Sequence, residues 1–377
     1  MFHVERRASR RYCVTCKGTH VVKAGGRERS FKGTPIGTRR VRIVVHLHRQ
    51  ECRSCGARRL EPITLADPKR TYTRHLARYV LELCKRASIA DVVRMVDLPW
   101  KTVCAILRKD LEARQKKICL RHLKYLAIDE VSVGKGQNNY LTVVLDLTTG
   151  HAVHVVEGRT KKGLQRFFAR LRRMRVRVKA VAMDMHAPFR DAVLQYYGTR
   201  VVIVYDHFHI SKLLNEQLDD VRREQMRLAE AQGKSVLKGI RFLLLRASET
   251  LQDDGEERLQ AVFAVNATLF KAYILKEELR ECWRAGSVKQ ARTMLRDWIT
   301  QARASGILQF VRFSKTLESH MHGILAFFRH PISTGPLEAF NNNIGLLIRR
   351  SYGYRNRKFL MLRILFLHEC HRGLTGA

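Results

Sequence analysis

The residues of this sequence with the clearest chemical potential are carboxylates at the ends of apolar segments. Asp129, Asp184 and Asp206 each end a run of apolar, largely β-branched residues that predicts a strand. A carboxylate in such a position is costly to bury, so it requires a cation or a hydrogen-bond partner. Carboxylates that converge from several strand ends would be hard oxygen ligands for a divalent metal such as Mg2+. Metal-dependent chemistry is therefore expected here.

The elements around these aspartates predict one mixed sheet. Residues 126–157, LAIDEVSVGKGQNNYLTVVLDLTTGHAVHVVE, give three strands separated by the turn-rich pieces GKGQNN and DLTTG, which is typical of an antiparallel meander. A helix over 161–173, a strand ending at Asp184, a helix over 187–197 and a strand ending at Asp206 follow. The predicted five-stranded mixed sheet resembles the RNase H-like cores of nucleases and transposases.

A further carboxylate begins a predicted helix near the C-terminal end, in STGPLEAFNNNIGLLIRR. Pro336 suits a first helical turn and Thr334 or Gly335 can cap it, so Glu338 falls in the first turn. Four residues share its face at helical spacing: Asn341, Asn342, Gly345 and Arg349. This polar face could contact both metal and phosphate. The alternative is a solvated face in which Glu338 complements the helix dipole.

Four of the nine cysteines form two CxxC pairs, Cys13 with Cys16 and Cys52 with Cys55. Two such pairs in a cytosolic protein indicate one tetrahedral four-thiolate zinc site rather than disulfides. The alternating strand over 41–49, VRIVVHLHR, suits a zinc ribbon. The other five cysteines are expected to be small apolar residues in helices.

Helical patterns over 75–86, 88–96 and 100–112 follow the ribbon. The last two have the proportions of a helix-turn-helix, with Ser88 as a plausible N-cap. The candidate base-reading residues are Trp100, Lys101 and Thr102, and the candidate phosphate contacts are Arg108 and Lys109. A plain helical hairpin is the alternative.

The charge of the chain predicts a polyanionic partner. The net charge is +37, and residues 1–128, with 31 Lys and Arg against 10 Asp and Glu, carry +21 of it. Nucleic acid is the expected partner. No segment approaches the roughly twenty apolar residues of a spanning helix, and the N-terminal residues lack the apolar region of a signal peptide. We therefore expect a cytoplasmic protein without a membrane partner.

The change of pattern along the chain predicts an α/β protein with an all-α insertion, because residues 211–328 are almost wholly helical in pattern. The expected domains are a zinc ribbon (1–62), a helix-turn-helix domain (63–122), the first part of an RNase H-like core (123–212), the all-α insertion (213–330) and a C-terminal helix of the core carrying the glutamate (331–377).

Taken in order, these motifs resemble the ISL3 family of bacterial insertion-sequence transposases, which carry a DDE triad. The resemblance rests on the paired CxxC ribbon, the helix-turn-helix, AIDEVSVGKGQNNYLTVVLDLTTG, AVAMDM, IVYDHFHISKLLNEQLDDVRRE and GPLEAFNNNI with RRSYGYRNRKFLMLRIL. It implies that the triad is Asp129, Asp184 and Glu338. It leaves Asp206 as an accessory position that could contact metal, hold DNA or be structural.

The same resemblance implies a DNA transposase that uses two Mg2+ ions, which Mn2+ can replace. Its partners would be the terminal inverted repeats of an insertion sequence, target DNA and a second copy of the chain. Further DNA contacts are expected from Arg349, Arg350, Tyr354 and Arg355. A catalytically inert DNA-binding regulator and a structure-selective nuclease are the alternatives. Serine or tyrosine recombinase chemistry is disfavoured, since no arginine-and-histidine constellation of that class is present.

Overall fold

The computed structural model describes residues 1–4, 12–136 and 139–370, so positions 137 and 138 of the predicted turn GKGQNN lie outside the described residues. Within those ranges no helix has the length and apolar character to cross a membrane. The strands are β1 (Phe2–Val4), β2 (Val21–Ile36), β3 (Arg39–Cys52), β4 (Arg58–Leu60), β5 (Tyr125–Ser132), β6 (Tyr140–Asp146), β7 (His151–Glu157), β8 (Ala180–Met183) and β9 (Val202–Tyr205). The longer helices are α1 (Arg74–Arg86), α2 (Ile89–Val96), α3 (Trp100–Gln115), α4 (Lys161–Arg173), α5 (Ala187–Tyr197), α6 (His207–Leu228), α7 (Ala231–Leu237), α8 (Arg241–Leu245), α9 (Asp253–Val265), α10 (Ala267–Cys282), α11 (Val288–Ala304), α12 (Leu308–Leu325), α13 (Gly335–Arg350) and α14 (Arg357–Leu365).

The chain forms two compact units, which we name by their position in the sequence. The terminal unit comprises Met1–Ile118 with Leu346–Ala377, and the central unit comprises Cys119–Gly345. In the terminal unit, β2 and β3 form a long antiparallel hairpin, with β1 parallel and β4 antiparallel to β3. The strand expected over 41–49 lies within β3.

Helices α1, α2 and α3 begin and end close to the predicted positions. The Ser88 hydroxyl accepts a hydrogen bond from the N–H of Asp91 and so caps α2, as its position in the sequence indicates. Asp97 ends α2 in the left-handed region, with φ of 53°, a conformation that aspartate tolerates better than most residues. Its carboxylate pairs with Lys32 and Arg40 of the ribbon hairpin at 3.2 and 3.3 Å. The turn between α2 and α3 is thereby tied to the β2–β3 hairpin.

The C-terminal segment divides differently from the predicted domain 331–377. Its first part belongs to the central unit, whereas residues from Leu346 onward belong to the terminal unit. The physical reason is apolar packing, because Phe359 and Leu362 of α14 are buried in one core with Leu76 and Val80 of α1.

The central unit contains the five-stranded mixed sheet, with strand order β7-β6-β5-β8-β9. Strands β5, β6 and β7 form the antiparallel meander, while β8 and β9 run parallel to β5. Helices α4 and α5 have the predicted bounds. The predicted α/β fold class, with a five-stranded mixed sheet and a helical insertion, is confirmed.

The insertion runs from α6 to α12, between β9 and α13. Its last helix, α12, packs closely against β9 at Gly323. A Cβ atom added there would lie 2.4 Å from the ring of Tyr205 and 3.3 Å from the carbonyl oxygen of Ile203. Only glycine permits this approach, so the end of the insertion is fixed on the sheet beside the strand that leads to Asp206.

Candidate active site

Asp129 and Asp184 are neighbours because β5 and β8 are adjacent and parallel. The strand register pairs Ile128 with Met183, and the next residue in each chain segment is one of the two aspartates. Asp129 is still within β5, whereas Asp184 directly follows β8 and accepts a hydrogen bond from the N–H of Met185 over 2.6 Å. The two carboxylates therefore meet at one edge of the sheet.

The electrostatic environment of Asp129 disfavours a bare negative charge. Burial raises the pKa of Asp129, and the neighbouring carboxylates of Glu130 and Asp184 raise it further. The amide N–H of Glu130 and the side chain of His209 act in the opposite direction. A buried carboxylate with like-charged neighbours is stabilised by a bound cation, and such perturbed groups cluster at functional sites.

Glu130 follows Asp129 in the sequence but has a different environment. Its carboxylate forms an ion pair with Arg159 at 2.7 Å, and the Arg159 guanidinium stacks over the ring of Tyr140 at 3.3 Å. The charge of Glu130 is therefore compensated by protein. Successive strand residues point to opposite faces, which accounts for the two environments of these adjacent acids.

Glu338 lies on α13, the helix that contacts this edge of the sheet through Asn341. It lies in the first turn and is exposed. One turn later on the same face, the Asn341 amide donates a hydrogen bond to Asp129 Oδ2 over 2.9 Å. The other polar atom of that amide, Asn341 Oδ1, is buried without a hydrogen-bond partner among the described residues. An unpaired buried carbonyl oxygen beside a carboxylate suits a cation or a bound water.

The three carboxylates are brought to one region but are not drawn tightly together. Within the described ranges, only the four cysteines form a set of three or more Cys, His, Asp or Glu ligand atoms lying within 4.8 Å of one another. The donor types nevertheless fit Mg2+, which takes carboxylate and carbonyl oxygens.

Asp206 is engaged by protein donors on both oxygens. It is 1% exposed and caps α6, with Oδ1 accepting the N–H of Phe208 over 3.0 Å. Its Oδ2 accepts the N–H of Thr334 over 2.7 Å and also the Thr334 hydroxyl. These contacts distinguish it from Asp129, which carries one side-chain hydrogen bond from Asn341.

His209 is a residue of this region that the sequence analysis did not select. It lies in the first turn of α6, three residues after Asp206, and is close enough to Asp129 to lower the pKa of that carboxyl. In the sequence, His209 is indicated only by its position three residues after Asp206 in DHFH, which is a helical spacing. That spacing alone is common, and only the position of α6 relative to β5 gives it meaning.

The four predicted zinc ligands converge in the terminal unit. Cys13 lies 3.6 Å from Cys55 and Cys16 lies 3.5 Å from Cys52, measured between sulfurs. A tetrahedral zinc with Zn–S bonds of about 2.3 Å requires S–S separations of about 3.8 Å. A backbone hydrogen bond from Cys16 lowers the pKa of Cys13 to about 6, which favours the thiolate that metals bind. The cluster is compatible with one zinc ion.

The candidate base-reading residues lie at the start of α3. Trp100 is 49% exposed and Lys101 is exposed, while Thr102 is half-buried. Lys109 is exposed and lies 3.5 Å from the carboxylate of Asp67. Arg108, the other candidate phosphate contact, is half-buried and places its guanidinium over the ring of Phe359 at 5.3 Å.

The remaining DNA-binding candidates lie between α13 and α14. Arg349, Arg350 and Arg355 are exposed. Tyr354 is half-buried, accepts a hydrogen bond from the Ser351 hydroxyl and packs edge-on against Phe359. Its ring is thus part of the core of the terminal unit, and its hydroxyl is the group left near the surface.

Comparisons with known proteins give the family. The sequence model of a family described as transposase, the ISL3 type of the DDE class, matches residues 126–364. The transposase of insertion sequence element IS1001 from Bordetella parapertussis is 32% identical over 329 residues, covering 86% of this chain and 80% of that protein. The transposase of element IS1557 from Mycobacterium tuberculosis is 28% identical over 316 residues, covering 77% of this chain and 69% of that protein. A solved structure, the Drosophila P element transposase strand transfer complex, is similar with a TM-score of 0.40 and 10% identity, covering 80% of this chain and 92% of that one. This chain belongs to the ISL3 family of insertion-sequence transposases, enzymes that cleave DNA and transfer its strands.

Proposed function

We propose that Asp129, Asp184 and Glu338 are the catalytic carboxylates of this transposase and that they hold two Mg2+ ions, which Mn2+ can replace. Two contacts between the elements that carry these carboxylates support the proposal. The register of β5 and β8 sets Asp129 beside Asp184, and Asn341 joins α13 to Asp129 one turn after Glu338.

Each residue has a defined task in this proposal. Asp129 and Asp184 offer oxygens from the sheet, and Glu338 offers its carboxylate from the first turn of α13. Asn341 orients Asp129 Oδ2, and the N–H of Met185 orients Asp184 Oδ1. Bound metal supplies activation of water or of a DNA 3′-hydroxyl and stabilisation of the leaving oxygen in an in-line displacement at a phosphodiester.

The terminal unit is proposed to bind the terminal inverted repeats of the element. One structural Zn2+ held by Cys13, Cys16, Cys52 and Cys55 would fix the ribbon. Exposed Trp100 and Lys101, with Thr102, would read bases. The proposed phosphate and further DNA contacts are Arg108, Lys109, Arg349, Arg350, Tyr354 and Arg355. The ion pairs of Asp97 with the ribbon hairpin support the ribbon and the helix-turn-helix acting together. Pairing two element ends most simply takes two copies of the chain, so we propose a homodimer on DNA that captures target DNA.

DNA cleavage at the element boundary tests the enzymatic part of this proposal. Purified protein is incubated with Mg2+ and labelled DNA that carries the element's own ends, and wild type is compared with Asp184→Asn. We expect boundary cleavage followed by strand transfer in wild type and neither in the variant. Specific binding without cleavage by either protein would favour the inert regulator. Cleavage of branched DNA without end joining would favour a structure-selective nuclease.

A binding assay tests the reading of the repeats. Replacing Trp100 or Lys101 with alanine should reduce discrimination between the repeat and random DNA by about 10- to 100-fold. Replacing Arg349 or Arg350 should weaken binding to both DNAs alike and reduce the salt dependence of binding. If Trp100→Ala weakened both DNAs equally, α3 would contact backbone only.

A further inference from the structure

We propose that Asp206 is a positioning residue, which fixes the first turn of α13 and therefore the location of Glu338, and that it is not a metal ligand. The inference rests on the proposed function for the role of Glu338. The contacts that carry it are those of the Asp206 side chain, the Asp206 backbone and Thr334.

Both carboxylate oxygens of Asp206 accept hydrogen bonds from the protein. The carboxylate is 1% exposed, and its three donors are the N–H of Phe208, the N–H of Thr334 and the hydroxyl of Thr334. His207 Nδ1 also lies 3.4 Å from Oδ1. A metal ion at Asp206 would displace some of these donors, and a buried N–H left without its acceptor is costly. The carboxylate is therefore satisfied as it stands.

Thr334 connects Asp206 to the helix turn that carries Glu338. Thr334 is 2% exposed and immediately precedes α13. Its carbonyl oxygen accepts the N–H of Leu337 over 2.8 Å and the N–H of Glu338 over 2.9 Å. Asp206 thus fixes Thr334, whose carbonyl oxygen accepts the first backbone hydrogen bonds of α13. Glu338 lies in that first turn.

The backbone of Asp206 contacts β8, the strand that Asp184 directly follows. The Asp206 N–H donates to the carbonyl oxygen of Met183 over 3.2 Å, and Met183 is the residue before Asp184. One residue therefore connects the strand end that carries Asp184 to the helix start that carries Glu338. The all-α insertion leaves the sheet at Asp206 and returns at Thr334, so this contact also joins the two ends of the insertion.

Hydrogen–deuterium exchange of the metal-free full chain tests this proposal without relying on activity. The variants are Asp206→Asn, Thr334→Val and Thr334→Ser. We expect amides at 334–341 to exchange about tenfold faster or more in the first two, because Asp206→Asn alters the acceptor of both Thr334 bonds and Thr334→Val removes the hydroxyl that donates to it. Thr334→Ser keeps the hydroxyl and should exchange as wild type does. The matched control is Asp219→Asn, a similarly buried carboxylate on α6 that bonds to Arg222 and Arg223 instead, and it should leave 334–341 unchanged.

Mn2+ binding and cleavage rates separate positioning from ligation. Positioning predicts that Asp206→Asn and Thr334→Val both slow cleavage, that their double variant is no slower than the slower single one, and that Thr334→Ser restores the rate. Ligation predicts that Asp206→Asn loses Mn2+ binding while Thr334→Val keeps both Mn2+ binding and slow exchange, and that result would overturn the proposal. If Asp206→Asn does not fold, comparing amide exchange and cleavage rate between Thr334→Val and Thr334→Ser still tests the proposal. Unimpaired cleavage by Asp184→Asn would instead refute the proposed function and leave the exchange result standing.

Discussion

The two candidate metal sites of this protein are built in different ways. In the terminal unit, four sulfurs lie within 4.8 Å of one another, and each pair comes from a single short turn. In the central unit, the carboxylates come from β5, from the end of β8 and from α13, and they are not gathered as closely. The difference teaches that two short turns are enough to bring four thiols together, whereas the positions of carboxylates from three elements depend on tertiary contacts.

Zinc removal should have the largest effect, because structural zinc sites supply roughly 10–16 kcal/mol of folding free energy. Chelation, or Cys16→Ser, should unfold the ribbon and abolish DNA binding while the five-stranded sheet persists. Hydrogen–deuterium exchange of β2, β3 and β5 measures this directly. Cys119→Ser, at an exposed cysteine outside the cluster, is the control. Unchanged protection of β2 and β3 after chelation would contradict the zinc site.

Replacing the residue that connects α13 to the sheet should have the next largest effect. Asn341→Ala removes the hydrogen bond to Asp129, and loss of such an orienting contact typically costs about 10- to 100-fold in metal affinity or activity. Cleavage rates and Mn2+ affinity measure this, with DNA binding expected to stay unchanged. Asn343→Ala, five residues after Glu338 and so outside its face of α13, should behave as wild type. Equal effects of the two variants would mean that the Asn341 contact does not matter.

The smallest expected effect is on the stability of the metal-free chain. Because the pKa of Asp129 is raised in the folded state, its ionised form costs stability above the folded pKa, and that cost disappears as the pH falls below the unfolded value. Asp129→Asn should therefore raise the melting temperature at pH 7, by roughly 2–4 °C for each kcal/mol relieved, and the gain should vanish near pH 4. Mg2+ should stabilise wild type only. A lower melting temperature for the variant at pH 7 without metal would contradict the account in which burial and like-charged neighbours disfavour the charge of Asp129.

Local patterns in the sequence were sufficient for much of the fold. The helical patterns over 161–173 and 187–197 gave the bounds of α4 and α5, and β-branched runs gave β5 to β9. The packing of α14 against α1 was not predictable, because it depends on Phe359 and Leu362 meeting Leu76, far away in the sequence.

The candidate site was predictable in composition but not in its contacts. The spacing CxxC defines the cysteine cluster locally, so its four members could be named from sequence. The pairing of Ile128 with Met183 depends on strand register, and two of the three donors to Asp206 belong to Thr334, which is 128 positions away. No local pattern shows that Glu130 is compensated by Arg159 while Asp129 is not.

The most direct test of the central claim compares Asp129→Asn with Glu130→Gln, two isosteric changes at adjacent positions of β5. Boundary cleavage of the element's own ends is measured with Mg2+, alongside Mn2+ binding and DNA binding. The account predicts that Asp129→Asn loses metal binding and slows cleavage on the order of a thousandfold or more, while Glu130→Gln, which loses only its ion pair with Arg159, retains metal binding and most of the rate. The reverse order, with Glu130→Gln inactive and Asp129→Asn active, would contradict it.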